Sequence, residues 1–138
     1  GTDMILCLEN LLEITDSVDE LLQIIHAVGG PNVGICLDTG HLNIAGHDQV
    51  DFIHRASPYL KALHIADNEG VTDQHLMPFG RGKVDLISVL KALVQIQYDG
   101  LYNFEIPGEC GCPLPIRDLK MHYLQAVMKE MEATVDGL

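Results

Sequence analysis

The sequence predicts an α/β domain of four successive β-α units, a half-barrel of parallel strands with helices on the outer face. Three observations carry this reading. First, short apolar runs end four times on a ligand-type residue: Met4–Leu8 before Glu9, Val33–Leu37 before Asp38, Lys61–Leu63 before His64, and Leu101–Phe104 before Glu105. Second, each run is followed by a polar loop and then by apolar residues at helical spacing, and strands that alternate with helices pair in parallel through crossovers. Third, successive strand residues point to opposite faces. Counting back by twos from each polar terminus gives Cys7 and Ile5, Cys36 and Gly34, Ala62, then Asn103 and Leu101. The opposite parity gives Leu8, Leu6 and Met4; Leu37, Ile35 and Val33; Ile65 and Leu63; Phe104 and Tyr102. A large apolar face suits helix packing, and a mostly small face carrying every ligand-type group suits the inside of a barrel. A complete barrel of this kind has eight strands and about 250 residues. This chain has 138 residues, which fits one domain and half that wall.

The elements follow in order. The first strand, Met4 to Leu8, leads through Glu9-Asn10 into a loop. Ser17-Val-Asp-Glu20 is a capping-box pattern, and the helix behind it runs to Val28 with Leu21, Leu22, Ile24, Ile25 and Val28 as a wide apolar stripe. Gly29-Gly30-Pro31 ends it. The second strand spans Val33 to Leu37. After His41 a loop carrying Gly46 precedes a helix from Asp48 to Ala56, broken by Ser57-Pro58. The third strand is Lys61 to Ile65. Ala66 to Lys83 is the longest connection, and loops of that length in a compact domain are commonly functional. A helix spans Val84 to Ile96, Tyr98-Asp99-Gly100 turns the chain into the fourth strand, and Ile106 to Pro113 forms a rigid loop. A last helix runs from Pro115 to Met131, with Glu132 to Leu138 expected to fray.

Composition narrows the function classes. Twenty acidic residues against eight basic ones give a net charge of −12, which argues against a nucleic-acid partner bound through a general basic footprint. A local site in which a metal reverses the field stays open. No apolar run approaches the roughly 20 residues of a membrane span, and no basic leader opens the chain, so no membrane partner is expected. Cys7 and Cys36 read as reduced, buried, small apolar residues within strands. Cys110-Gly-Cys112 is too closely spaced for a zinc knuckle and has no second pair, so it reads as unpaired loop thiols. Reduced thiols fit a cytoplasmic setting.

Glu9, Asp38, His64 and Glu105 stand at equivalent strand ends, the rim where chemistry sits in βα barrels. Together they make a hard, mixed oxygen and nitrogen site for Mn2+, Mg2+, Co2+ or Zn2+. Without a cation the carboxylates repel, and one must take up a proton. Singly, each residue has a plainer explanation: Glu9 as a loop cap, Asp38 in an Asx turn with Gly40, His64 as a core histidine. Their recurrence at four equivalent positions favours the metal site. Arg81, between Gly80 and Gly82, is either a solvated loop arginine or a group that holds a phosphate or carboxylate of a substrate.

These residues also carry a resemblance. Leu-Glu-Asn at 8–10, Leu-Asp-Thr-Gly-His at 37–41, His-Ile-Ala-Asp at 64–67, Asp-Gln-His-Leu-Met-Pro-Phe-Gly-Arg-Gly-Lys-Val-Asp at 73–85 and Phe-Glu-Ile at 104–106 are similar to the xylose-isomerase-like TIM-barrel superfamily. That group holds sugar and sugar-phosphate isomerases and epimerases, and endonuclease-four-type DNA repair enzymes. The resemblance implies that residues 1–138 correspond to strands five to eight of the family barrel. It implies a single divalent cation on Glu9, Asp38, His64 and Glu105, with Glu9 and Glu105 also the acid/base pair of the epimerase branch. His41 matches a residue beside the substrate in epimerases and a zinc ligand in the nucleases, and Asp73 and His75 match a nuclease zinc pair. The expected activity is therefore proton transfer next to the carbonyl of a small sugar or sugar phosphate. A zinc-dependent phosphodiesterase and a catalytically incomplete half-barrel are the alternatives. The open sheet edges of such a half predict a homo-oligomer.

Overall fold

The protein is represented by a computed structural model that describes residues 4–106 and 111–136. Its elements are β1 (Leu6–Glu9), α1 (Val18–Val28), β2 (Val33–Asp38), α2 (Thr39–Ala45), α3 (Gln49–Ala56), β3 (Leu60–His64), α4 (Leu86–Gln95) and α5 (Leu114–Asp136). The three strands form one parallel sheet in the order β1-β2-β3. This is part of a parallel α/β barrel, with its helices on one face.

Local chemistry sets the boundaries. Ser17 and Glu20 form the reciprocal capping box at the start of α1, and Gly29 ends the helix in the left-handed region at φ 65°. Asp48 and Asp85 cap α3 and α4 by accepting the amides of Asp51 and Ser88. β2 is the central strand, and only Val33 in it is not fully buried. Its Ile35 and Leu37 pack with Leu63 and Ile65 against Leu21, Ile25, Phe52, Ile53, Leu90 and Leu93 of the helices. Each such side chain contributes about 1.5–3 kcal/mol by leaving water. The parity expected for an outer apolar face is thus the parity found. One irregularity interrupts it, because the β2–β3 register shifts between Ile35 and Cys36. Leu60 turns into the core there, and the Lys61 side chain lies across Gly34, where an added Cβ would meet it at 2.6 Å.

Three expectations are corrected. Leu101 to Phe104 is not a full strand: it joins β3 through one parallel bridge, Ile65 with Phe104, made by Ile65 N–H to the Asn103 carbonyl (2.7 Å) and Glu105 N–H to the Ile65 carbonyl (3.0 Å). Leu101 is 85% exposed, so nothing packs on the start of the segment to hold more of it in the ladder. Thr39 to Ala45 is a helix rather than a loop, because Asp38 accepts the His41 amide as its cap and Gly46 closes it at φ 75°. Residues 132–136 are helical instead of frayed: Met131 is buried, Val135 packs on the core, and the Thr134 hydroxyl donates to the Glu130 carbonyl at 2.7 Å. Cys110 of the Cys-Gly-Cys lies outside the described residues, and Cys112 is a half-buried free thiol. No helix among the described residues is long and apolar enough to cross a membrane.

Candidate metal centre

The C-terminal ends of the strands bring the expected residues together. Glu9 ends β1, Asp38 ends β2 and His64 ends β3, with Asp38 and His64 in direct register. Glu105 reaches the same rim because its amide is tied to Ile65. His64 Nδ1 lies 2.8 Å from Glu105 Oε2 and 3.5 Å from Glu9 Oε2, so the two carboxylates converge on one ring nitrogen. Oxygen and nitrogen donors of Asp38, His64 and Glu105 fall within 4.8 Å of one another, as do those of Glu9, Asp38 and His41.

Buried polar atoms without partners mark the centre of this group. Asp38 is fully buried; its Oδ1 caps α2 at 2.8 Å from the His41 amide, while Oδ2 has no hydrogen-bond partner. His64 Nδ1 and His41 Nδ1 are likewise buried, and their neighbours are carboxylate oxygens, Glu105 Oε2 at 2.8 Å and Glu9 Oε1 at 3.2 Å. A buried carboxylate oxygen left unsatisfied costs about 1–3 kcal/mol, more when it is charged, unless something satisfies it. A divalent cation fits that donor set and charge. Burial foremost holds the Asp38 pKa above the usual carboxylate range, with the negative charge of Glu9 and Glu105 adding to it and the His41 amide opposing it.

His41, at the start of α2, sits 3.2 Å from Glu9 Oε1 through Nδ1 and 3.4 Å from Asp73 Oδ2 through Nε2. Asp73 also lies 2.9 Å from His75 Nε2, and His75 Nδ1 stands 3.2 Å from the Glu105 carbonyl. Both neighbours of His75 are acceptors, so a doubly protonated ring satisfies both. Burial opposes that proton, yet the two acceptors outweigh it and the His75 pKa is raised. His75 holds this position at φ 48°, a left-handed backbone uncommon outside glycine. Arg81 is the outlier of the expected set: it is 69% exposed and its ion pair is with Glu69 at 3.6 Å.

Several residues that hold the site were given no role by the sequence reading. Asn10 is fully buried and clamps the backbone of Asp38, donating from Nδ2 to its carbonyl (2.9 Å) and accepting its amide on Oδ1 (2.7 Å). The Thr39 hydroxyl donates to the Ala66 carbonyl and accepts the Ala66 amide, locking β2 to β3. Asn68 donates to the Gly40 carbonyl and accepts from Asn43 and the Gly70 amide. Asp67 accepts the amides of Asn68 and Val84, closing the long connection on itself; a Cβ on Gly82 would collide with its carboxylate. Asn10, Thr39 and Asp67 stood in the motifs that carried the resemblance, and that was their only signal. Cys36, expected as a buried small apolar residue, joins the group as well: its Sγ lies with donors of Glu9 and His64 within 4.8 Å. Burial, then the charges of Glu9, Cys7, Asp38 and Glu105, push its thiol up to about 12.

A groove of about 400 Å3 lies elsewhere, between α4 and α5 beneath Phe79. Its lining is apolar apart from Tyr123, Glu130 and Thr134, so it offers no cluster of titratable groups for chemistry.

Comparison with known proteins agrees with this fold. A family profile described as xylose isomerase-like TIM barrel matches residues 2–131. A ketose 3-epimerase of Arthrobacter globiformis is 35% identical over 86 residues, 62% of this chain and 28% of that protein. A probable endonuclease 4 of Mesomycoplasma hyopneumoniae is 32% identical over 93 residues, 59% of this chain and 33% of that protein. The solved structure of a D-tagatose 3-epimerase-like protein superposes with a TM-score of 0.79 at 28% identity, covering 96% of this chain and 48% of that one. The chain therefore spans about half of that solved structure, and its matched stretches cover about a third of the two curated relatives.

Proposed function

The chain belongs to the xylose isomerase-like TIM barrel family, and from that membership we propose that it forms strands five to eight of a divalent-metal-dependent sugar or sugar-phosphate epimerase or isomerase. The observation that carries the proposal is the convergence of Glu9 and Glu105 on His64 beside the unpartnered Oδ2 of the buried Asp38. Those four residues would hold the cation, and a bound cation would supply Lewis-acid polarisation of a sugar's carbonyl and hydroxyl oxygens. Glu9 and Glu105 meet at His64 Nδ1 and are only part-buried, so a substrate at that rim can reach both. In this reading one carboxylate accepts the proton from the carbon next to the carbonyl. The other donates a proton to the opposite face of that carbon or to the neighbouring carbon. His41, with Nδ1 3.2 Å from Glu9 and Nε2 3.4 Å from Asp73, orients the Glu9 carboxylate. The similarity to a ketose 3-epimerase supports a ketose as the substrate class.

The test uses the complete protein and a panel of ketoses and their phosphates in deuterated water. The wild type is expected to incorporate deuterium at the carbon beside the carbonyl. Glu9→Gln and Glu105→Gln should each lower turnover by about 10²–10⁴ without loss of fold. Near-normal turnover in either variant would count against the assigned roles.

A second reading rests on the chain of contacts His41–Asp73–His75, which offers donors for a further zinc ion as a phosphodiesterase would need. Metal stoichiometry separates the two: one equivalent for the epimerase, two or more for the nuclease.

A further inference from the structure

We propose that Cys36 is a ligand-forming member of the cation site, so that the site takes a thiophilic divalent cation such as zinc or cobalt in preference to magnesium. The inference rests on the metal-site reading above and adds to it a residue and a metal class. Cys36 lies two residues before Asp38 on the same face of β2, in direct register with Glu9 on β1. Its sulfur, a carboxylate oxygen of Glu9 and a ring nitrogen of His64 all lie within 4.8 Å of one another. Two ligands of one zinc ion stand within about 4.4 Å, the limit set by Zn–S and Zn–N or Zn–O bond lengths, so a small side-chain adjustment closes this triad.

A lone buried cysteine is ordinarily a small apolar residue. Two facts set this one apart. It faces the inner, acid-lined side of the sheet, while the apolar core lies on the other side. The fully buried Asp38, which shares donor groups with both Glu9 and His64, carries an oxygen without a hydrogen-bond partner. The cluster thus has donors of three chemistries: carboxylate, imidazole and thiol. All-oxygen sites suit magnesium, whereas sulfur donors favour zinc and other softer ions. On coordination the thiol gives its proton to solvent and binds as thiolate.

Cobalt(II) is the probe, added in stoichiometric titration to the complete, metal-free protein. Ligand-field bands report that the ion is bound, and a sulfur-to-cobalt charge-transfer band in the near ultraviolet reports the thiolate. The expected result is both signals in the wild type and in Cys7→Ser. In Cys36→Ser and Cys36→Ala the charge-transfer band should be lost while the ligand-field bands remain. Bound cobalt with no charge-transfer band in the wild type, or a band that survives in both Cys36 variants, overturns the thiolate ligand and leaves the metal site standing. Absence of cobalt binding altogether overturns the metal site, and this inference with it. Far-ultraviolet circular dichroism of each variant shows that the lost band is not a lost fold.

Discussion

At the scale of single residues, Asp38 sets stability against function. Its carboxylate is buried with one oxygen unpartnered, and burial above all holds its pKa high. A group whose pKa is raised by folding contributes stability that is full below its unfolded value, about 3.9 for Asp, and is lost as the pH climbs through the folded value. In chelator, the buried Asp38 carboxyl is therefore less favourable to the fold at neutral pH than in acid. Asp38→Asn keeps an oxygen for the His41 amide and removes the charge. The expected outcome is a higher thermal midpoint than wild type at neutral pH in chelator, a difference that fades as the pH falls below about 4. Saturating divalent cation should reverse the order by stabilising only the wild type. A variant less stable than wild type in chelator at neutral pH would contradict this account. Asp38 was legible in the sequence as the polar end of an apolar run. Asn10, Thr39 and Asn68 were not, because they bond to backbone groups 27 or 28 residues away and no local pattern encodes such a partner.

At the scale of elements, the segment carrying Glu105 is the weakly held part of the site. β2 is paired on both sides, whereas Leu101 to Glu105 joins the sheet ladder through a single bridge and two backbone hydrogen bonds, with Tyr102 and Phe104 packed on the core. Elements with few buried contacts and few ladder bonds open at low free energy. Native-state hydrogen exchange should find the amides of Leu37 and Leu63 among the slowest and that of Glu105 markedly faster. Added divalent cation should slow Glu105 more than Leu37, since it would tie the segment to Asp38 and His64. Protection of Glu105 equal to that of Leu37 without cation would contradict the single-bridge description. The helix boundaries set by Ser17, Gly29, Asp48 and Asp85 were legible because caps are local chemistry. α2 was not. Thr39-Gly40-His41 has poor helix propensity, and tertiary contacts form the helix there: a Cβ on Gly40 would stand 3.0 Å from Asn68 Nδ2 and 3.1 Å from Ala66 Cβ.

At the scale of the whole molecule, the sheet has two open edges among the described residues. Met4 and Leu6 are 75% and 67% exposed along the β1 edge, and Leu101 is 85% exposed at the other. Unpaired edges recruit strands, and covering apolar surface is worth about 25 cal/mol per Å². A two-fold axis along the barrel direction would set β1 of one copy parallel to the Leu101–Phe104 segment of its partner and close both edges at once. The isolated chain is therefore expected to sediment as a dimer at micromolar concentration, and Leu6→Lys should shift it toward monomer. A well-folded, strictly monomeric chain would show that its edges are covered in another way. The parallel half-barrel was legible from strand parity, since helices demand one large apolar face. The reduction of the fourth strand to a bridge was not, because ladder length depends on what packs beyond the segment, and Leu101-Tyr102-Asn103-Phe104 carries no trace of that.

The central claim is one divalent cation held by Glu9, Asp38, His64 and Glu105. Elemental analysis of the complete protein after dialysis, with Asp38→Asn and His64→Ala in parallel, tests it most directly. The account predicts one equivalent of a divalent metal in the wild type and a loss of most of it in both folded variants. Metal content unchanged in both would contradict it.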